Sequence, residues 1–68
     1  MNNHDLRLLR LPIVKARTGL SRSTIYLYVS VGVFPKPVQL GPRAVAWVAD
    51  EVEAWITQRI EESRKAAK

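Results

Sequence analysis

Apolar and polar positions along these 68 residues change rhythm several times. From Leu6 to Leu11 the order is apolar, basic, apolar, apolar, basic, apolar, which fits neither a strand nor a helix cleanly. A short edge strand is expected there, with Leu9 or Leu11 turned into the core. Pro12 suits the first turn of a helix, where its missing N–H is no loss. Ile13, Val14 and Arg17 carry that helix on to Thr18, and Gly19 closes it. Leu20 then plugs an angle, and Ser21 is placed to cap a second helix that runs to about Val31, with Gly32 beyond its end. At about 100° per residue, Ile25, Tyr28 and Val29 share one side of this helix. Ser23, Leu27 and Ser30 point the opposite way, and Thr24 and Tyr26 flank them.

The second half reads differently. Pro35 and Pro37, one residue apart, forbid a helix, and Phe34 is expected to anchor the corner. Val38-Gln39-Leu40 alternates, Gly41-Pro42-Arg43 is a turn, and Ala44 to Trp47 is strand-like, so a β-hairpin is predicted. A last helix starts near Val48 or Asp50, with Val48, Val52, Trp55, Ile56 and Ile60 as its buried stripe. Trp55 is expected to close over Phe34 and Tyr28. The pattern predicts a mainly α fold with a small β-hairpin wing, a winged helix-turn-helix. Its helices lie at about 12–18, 21–31 and 49–65 and its hairpin at about 38–47. Residues 1–6 are expected to form a flexible tail, 7–60 the domain, and 61–68 a helix end with a frayed polar tail.

Composition narrows the function classes. The apolar fraction of 47% fits one small globular domain with a thin core. There is no cysteine for a disulfide or thiolate metal site. No apolar run is long enough to span a bilayer, and basic and polar residues interrupt the leucines near Met1, so neither a membrane partner nor a signal peptide is expected. A cytoplasmic, nucleoid-associated protein is the expectation.

Charge changes the picture more. The formal net charge is +5. Arg7, Arg10, Lys15, Arg17, Arg22, Lys36 and Arg43 lie between Leu6 and Ala49, a stretch without a single acid, and five acids follow from Asp50 onward. The positive field therefore covers the helix-turn-helix and hairpin, where a polyanion would dock. Asp50, Glu51 and Glu53 sit at the positive end of the last helix dipole, and Arg64, Lys65 and Lys68 at the negative end. The acids thus have a structural explanation. With one histidine (His4) and no metal-ligand or Gly-rich phosphate pattern, no catalytic residue, metal, cofactor or small-molecule substrate is expected.

A helix-turn-helix with a basic surface is a common way of placing a helix in the DNA major groove. Double-stranded DNA is the expected partner, with Ser21, Arg22, Ser23, Thr24 and Tyr26 as contacts in the first half of the second helix. Lys36 and Arg43 are expected to meet phosphates from the wing. One small domain reads few base pairs, so self-association or cooperative binding on adjacent sites belongs to the same expectation.

Thr18-Gly19-Leu20-Ser21-Arg22-Ser23-Thr24-Ile25-Tyr26, Gly32, Phe34-Pro35-Lys36-Pro37-Val38, Leu40-Gly41, Arg43, Trp47, Glu51-Val52 and Ala54-Trp55 together resemble the AlpA family of phage and prophage regulators. The resemblance covers about Arg7 to Arg59. It implies a small winged helix related to the MerR and excisionase DNA-binding domains, acting in transcriptional control of prophage or integrative-element genes or as an excisionase-like factor. The chain departs from the family where basic residues are common on the second helix, carrying Leu27 and Val31 instead, and Val33 replaces the usual acid after the glycine. Either Leu27 is accordingly a candidate for apolar contact with thymine methyls, or specificity moves to Arg22 and the wing. The alternative is a protein-interaction module built on an exposed Leu27, Val31 and Val33 surface.

Overall fold

The structure, a computed structural model, describes residues 6–66. His4 and all but the last residue of the expected N-terminal tail lie outside them. The element order is β1 (Leu8–Leu9), α1 (Leu11–Thr18), α2 (Arg22–Ser30), β2 (Val38–Gly41), β3 (Ala44–Val48) and α3 (Ala49–Ala66). Each predicted helix and the hairpin is present, with limits within one residue of expectation.

Helix α1 begins without a side-chain cap, and the carbonyl of Arg10 accepts from the N–H groups of Ile13 and Val14 instead. Pro12 occupies its first turn. At the other end Gly19 adopts φ 76° and its N–H returns to the carbonyl of Lys15, which closes the helix with a left-handed residue. Helix α2 ends with a pair of bonds in the Schellman pattern: Gly32 N–H donates to Val29 and Val33 N–H to Tyr28. The chain thus leaves α2 at once and heads for the proline corner.

The sheet has the order β1-β3-β2, with both neighbours antiparallel to β3. Leu8 faces Val48 and Leu9 faces Trp47, while Val38 faces Ala46. The register shifts between Gln39 and Gly41, a bulge that bends the hairpin near its tip. The central position of β3 explains its uninterrupted apolar sequence, because a strand paired on both edges and packed on both faces has little use for alternation.

Trp47, Ile25, Val14 and Val52 are the largest fully buried side chains, each worth about 1.5–3 kcal/mol of burial. Leu9 and Phe34 complete the core with Ala49. Leu11, by contrast, is only partly buried, so of the two leucines proposed for the core it is Leu9 that enters it. Trp55 does pack on Phe34, ring centroids 4.8 Å apart, and more loosely on Tyr28 at 6.4 Å.

The stripe assigned to α3 needs correction at both ends. Val48 belongs to β3, and Ile60 is 45% exposed. Beyond Ile56 every described residue of the helix, Thr57 to Ala66, is exposed.

Candidate nucleic-acid interface

Six of the candidate contacts belong to α2 and its cap. Ser21 is its cap: the hydroxyl oxygen accepts from the Thr24 N–H at 3.1 Å and lies 3.0 Å from Thr24 Oγ1. That bond consumes part of the polar capacity of both side chains, so their first duty is to hold the start of the helix. Behind them, the Thr18 hydroxyl donates to the carbonyl of Val14 and accepts the N–H of Leu20. The turn between α1 and α2 is therefore braced from both sides, and Leu20 packs against the core within it.

Arg22 and Ser23 are exposed, and Thr24 is half-buried. The Arg22 guanidinium carbon stands 5.3 Å from the centroid of the Tyr26 ring, the i, i+4 spacing that makes side chains neighbours on a helix. Tyr26 itself is half-buried, with its ring 6.0 Å from that of Trp47 at an interplanar angle of 65°. Its ring thus belongs partly to the core. Leu27 lies on the outward side, 56% exposed.

The other two candidates are carried by the segment after α2. Its path is set by two indoles: Trp55 Nε1–H donates to the Val33 carbonyl at 2.6 Å, and Trp47 Nε1–H to the Pro35 carbonyl at 2.9 Å. Phe34, between those two carbonyls, is buried. Lys36 follows directly and is exposed, and Arg43 is exposed in the turn between β2 and β3. The structure therefore puts Arg22 at the head of α2, Lys36 at the hairpin entrance and Arg43 at its tip.

One basic residue of the acid-free half is engaged elsewhere. Arg17 Nη1 meets Glu53 Oε2 at 2.8 Å, joining α1 to α3. Their separation along the chain left no local pattern to signal this pair. Arg22, Lys36 and Arg43 have no such carboxylate partner among the described residues. Trp47 carries more structural weight than a hairpin residue alone implies, and the unbroken apolar run around it fits the central strand it occupies. Among the described residues there is no cluster of His, Cys, Asp or Glu able to hold a metal, and no helix is long and apolar enough to cross a membrane.

Residues 7–60 match the family model described as the prophage CP4-57 regulatory protein (AlpA). The chain belongs to the AlpA family. The match takes in every element described above, from β1 into the exposed part of α3. Two relatives extend it. The DNA-binding transcriptional activator AlpA of Escherichia coli K12 is 39% identical over 66 residues, covering 87% of this chain and 94% of the relative. An uncharacterised protein, ORF88, of Enterobacteria phage P4 is 52% identical over 54 residues, covering 79% of this chain. The chain spans 61% of the length of that phage relative. AlpA membership agrees with the resemblance read from the Phe34-Pro35-Lys36-Pro37 corner and the two tryptophans, whose indoles donate to the carbonyls of Pro35 in that corner and of Val33 just before it.

Proposed function

We propose that this AlpA-family protein is a sequence-specific DNA-binding transcriptional regulator of a prophage or related mobile element. In this reading α2 enters the major groove with its N-terminal half, and the hairpin lies along the adjacent backbone. Ser21, Arg22, Ser23, Thr24, Tyr26 and Leu27 meet the duplex from the helix, and Lys36 and Arg43 meet phosphates from the wing. No covalent chemistry is required, since the output is occupancy or bending of DNA. An excisionase-like role uses the same surface, and copies bound to adjacent sites would supply the length of sequence that one domain cannot read alone.

The observation that carries this reading is the set of exposed, carboxylate-free bases Arg22, Lys36 and Arg43 on the helix head and hairpin. The name of the E. coli relative, a DNA-binding transcriptional activator, supports it independently. The test is binding to duplexes from upstream of the protein's own gene and of a neighbouring integrase gene, as a function of salt. A log–log slope of several units is expected, falling by about one in Arg43→Ala. Salt-independent binding, or equal affinity for every duplex, excludes the reading.

A second reading is favoured by one feature. Leu27, Val31 and Val33 are 56%, 61% and 52% exposed at the far end of α2, an apolar surface suited to a protein neighbour. Under this reading the protein is an interaction module and its basic charge is incidental.

A further inference from the structure

The DNA reading treats Arg22 and Tyr26 as two separate contacts. Their surroundings assign them unequal roles. Arg22 is the first residue of α2, next to the Ser21 cap, and the N-terminal residues of a recognition helix are those that reach base edges. A long side chain in that position normally costs rotamer freedom on binding unless something orders it beforehand. A carboxylate would order it but would also occupy its donors. Here no carboxylate does so among the described residues, and the guanidinium stands over an aromatic ring instead. An aromatic face attracts the cation while leaving its N–H donors unpaired at the guanidinium edge.

The ring that does this is itself restrained. Tyr26 packs at 65° against Trp47. Trp47 is fully buried and tied through its N–H to Pro35. A continuous series of contacts thus runs from the proline corner through Trp47 and Tyr26 to Arg22. A phosphate can take the same two-pronged fork but also accepts single bonds from many directions, so orientation of this kind is less decisive there. It matters for a guanine edge, where O6 and N7 are met by a planar fork.

We propose that Tyr26 is a positioning residue that, braced by Trp47, holds Arg22 for bidentate recognition of a guanine in the major groove. The proposal rests on the DNA reading and deepens it. It reassigns Tyr26 from direct DNA contact to platform, and it names Arg22 as the residue that determines specificity.

The test is a double-mutant cycle on the full chain, comparing a specific duplex with a scrambled duplex of equal length. Tyr26→Leu is expected to weaken specific binding about threefold to fivefold, with little change on the scrambled duplex. In an Arg22→Ala background, itself weakened about tenfold or more, Tyr26→Leu is expected to cost nothing further. Tyr26→Phe should rescue the loss, because the ring and not the hydroxyl is the platform. Substituting 7-deazaguanine for the contacted guanine should weaken the wild-type protein and leave Arg22→Ala unaffected, an arm that needs no variant at position 26.

Additive losses overturn the proposal. So does an equal loss on both duplexes, which would make Tyr26 a phosphate ligand, and so does failure of Tyr26→Phe to rescue. Indifference of the wild-type protein to every 7-deazaguanine substitution, with salt-dependent specific binding intact, overturns the role of Arg22 alone. Loss of salt dependence and sequence preference in the wild-type protein would instead remove the DNA reading and this proposal with it.

Discussion

The indole N–H of Trp47 reaches the carbonyl of Pro35 across 2.9 Å, joining the middle strand of the sheet to the corner through which the chain leaves α2. Trp47→Phe keeps an aromatic ring but opens space in a site with no exposure and leaves a carbonyl without its donor. Those two costs together come to about 2–4 kcal/mol. Urea unfolding should show a lower midpoint with an unchanged slope, since the surface exposed on unfolding is nearly the same.

Ser21 caps the start of α2 by accepting the N–H of Thr24. Ser21→Ala is expected to lower stability by about 1 kcal/mol. In a domain this small, that corresponds to a fall of about 4–8 °C in Tm, measurable by circular dichroism. Ser21→Asp should retain stability, because aspartate caps equally well, while weakening DNA binding by placing a carboxylate at the proposed interface.

Gly32 has φ 83°, and a Cβ built there would meet nothing within 4 Å. The cost of Gly32→Ala is therefore conformational and not steric, about 1–2 kcal/mol. Gly32→Asn should cost less, because asparagine tolerates the left-handed region better. Comparison of the two by thermal unfolding separates backbone strain from packing; equal losses would contradict this account.

Arg17 is committed to Glu53 in an exposed pair. Arg17→Ala is expected to change stability by no more than about 1 kcal/mol. Its effect on the salt slope of DNA binding should be smaller than the decrease of about one unit expected for Arg43→Ala. Equal decreases would show that Arg17 abandons Glu53 for the duplex.

Leu27→Arg distinguishes the two functional readings. Tighter DNA binding with a steeper salt dependence is expected if the outward face of α2 approaches the duplex. Unchanged DNA binding with loss of a protein partner would favour the interaction module.

Much of this fold is legible in local patterns. Gly19, Ser21, Gly32 and the Pro35/Pro37 pair each act on the backbone within a few residues, and each marks an element boundary in the structure. Trp55 was also readable, because a helical stripe points it at the core and Phe34 precedes it at a corner. The less legible features are the nonlocal ones. Trp47 looked like one more strand residue, because its importance comes from pairing on both edges of β3 and from contacts with Tyr26 and Pro35. The Arg17–Glu53 pair had no local signal for the same reason. Ile60 departs in the opposite sense: its spacing fits the stripe, but it stays 45% exposed where it lines a cavity with Leu20, Tyr28 and Ile56. At the candidate site, the sequence offered the residues and their helix. It did not disclose that the Tyr26 ring lies between a buried indole and an exposed guanidinium.

The pairing of β1 with β3 brings Leu8 opposite Val48, positions about 40 residues apart along the chain. The two helices and the hairpin can each begin to form from nearby contacts, but the sheet closes only when the first strand returns to the third. That step carries the largest loop-closure cost in the fold. It should therefore be resolved late in refolding, and the helix pair should not persist as a separate unit once it opens. Removal of the residues through Leu9 would leave one side of β3 with unpaired backbone groups. The foreseeable result is edge-to-edge association of chains and not a smaller working domain.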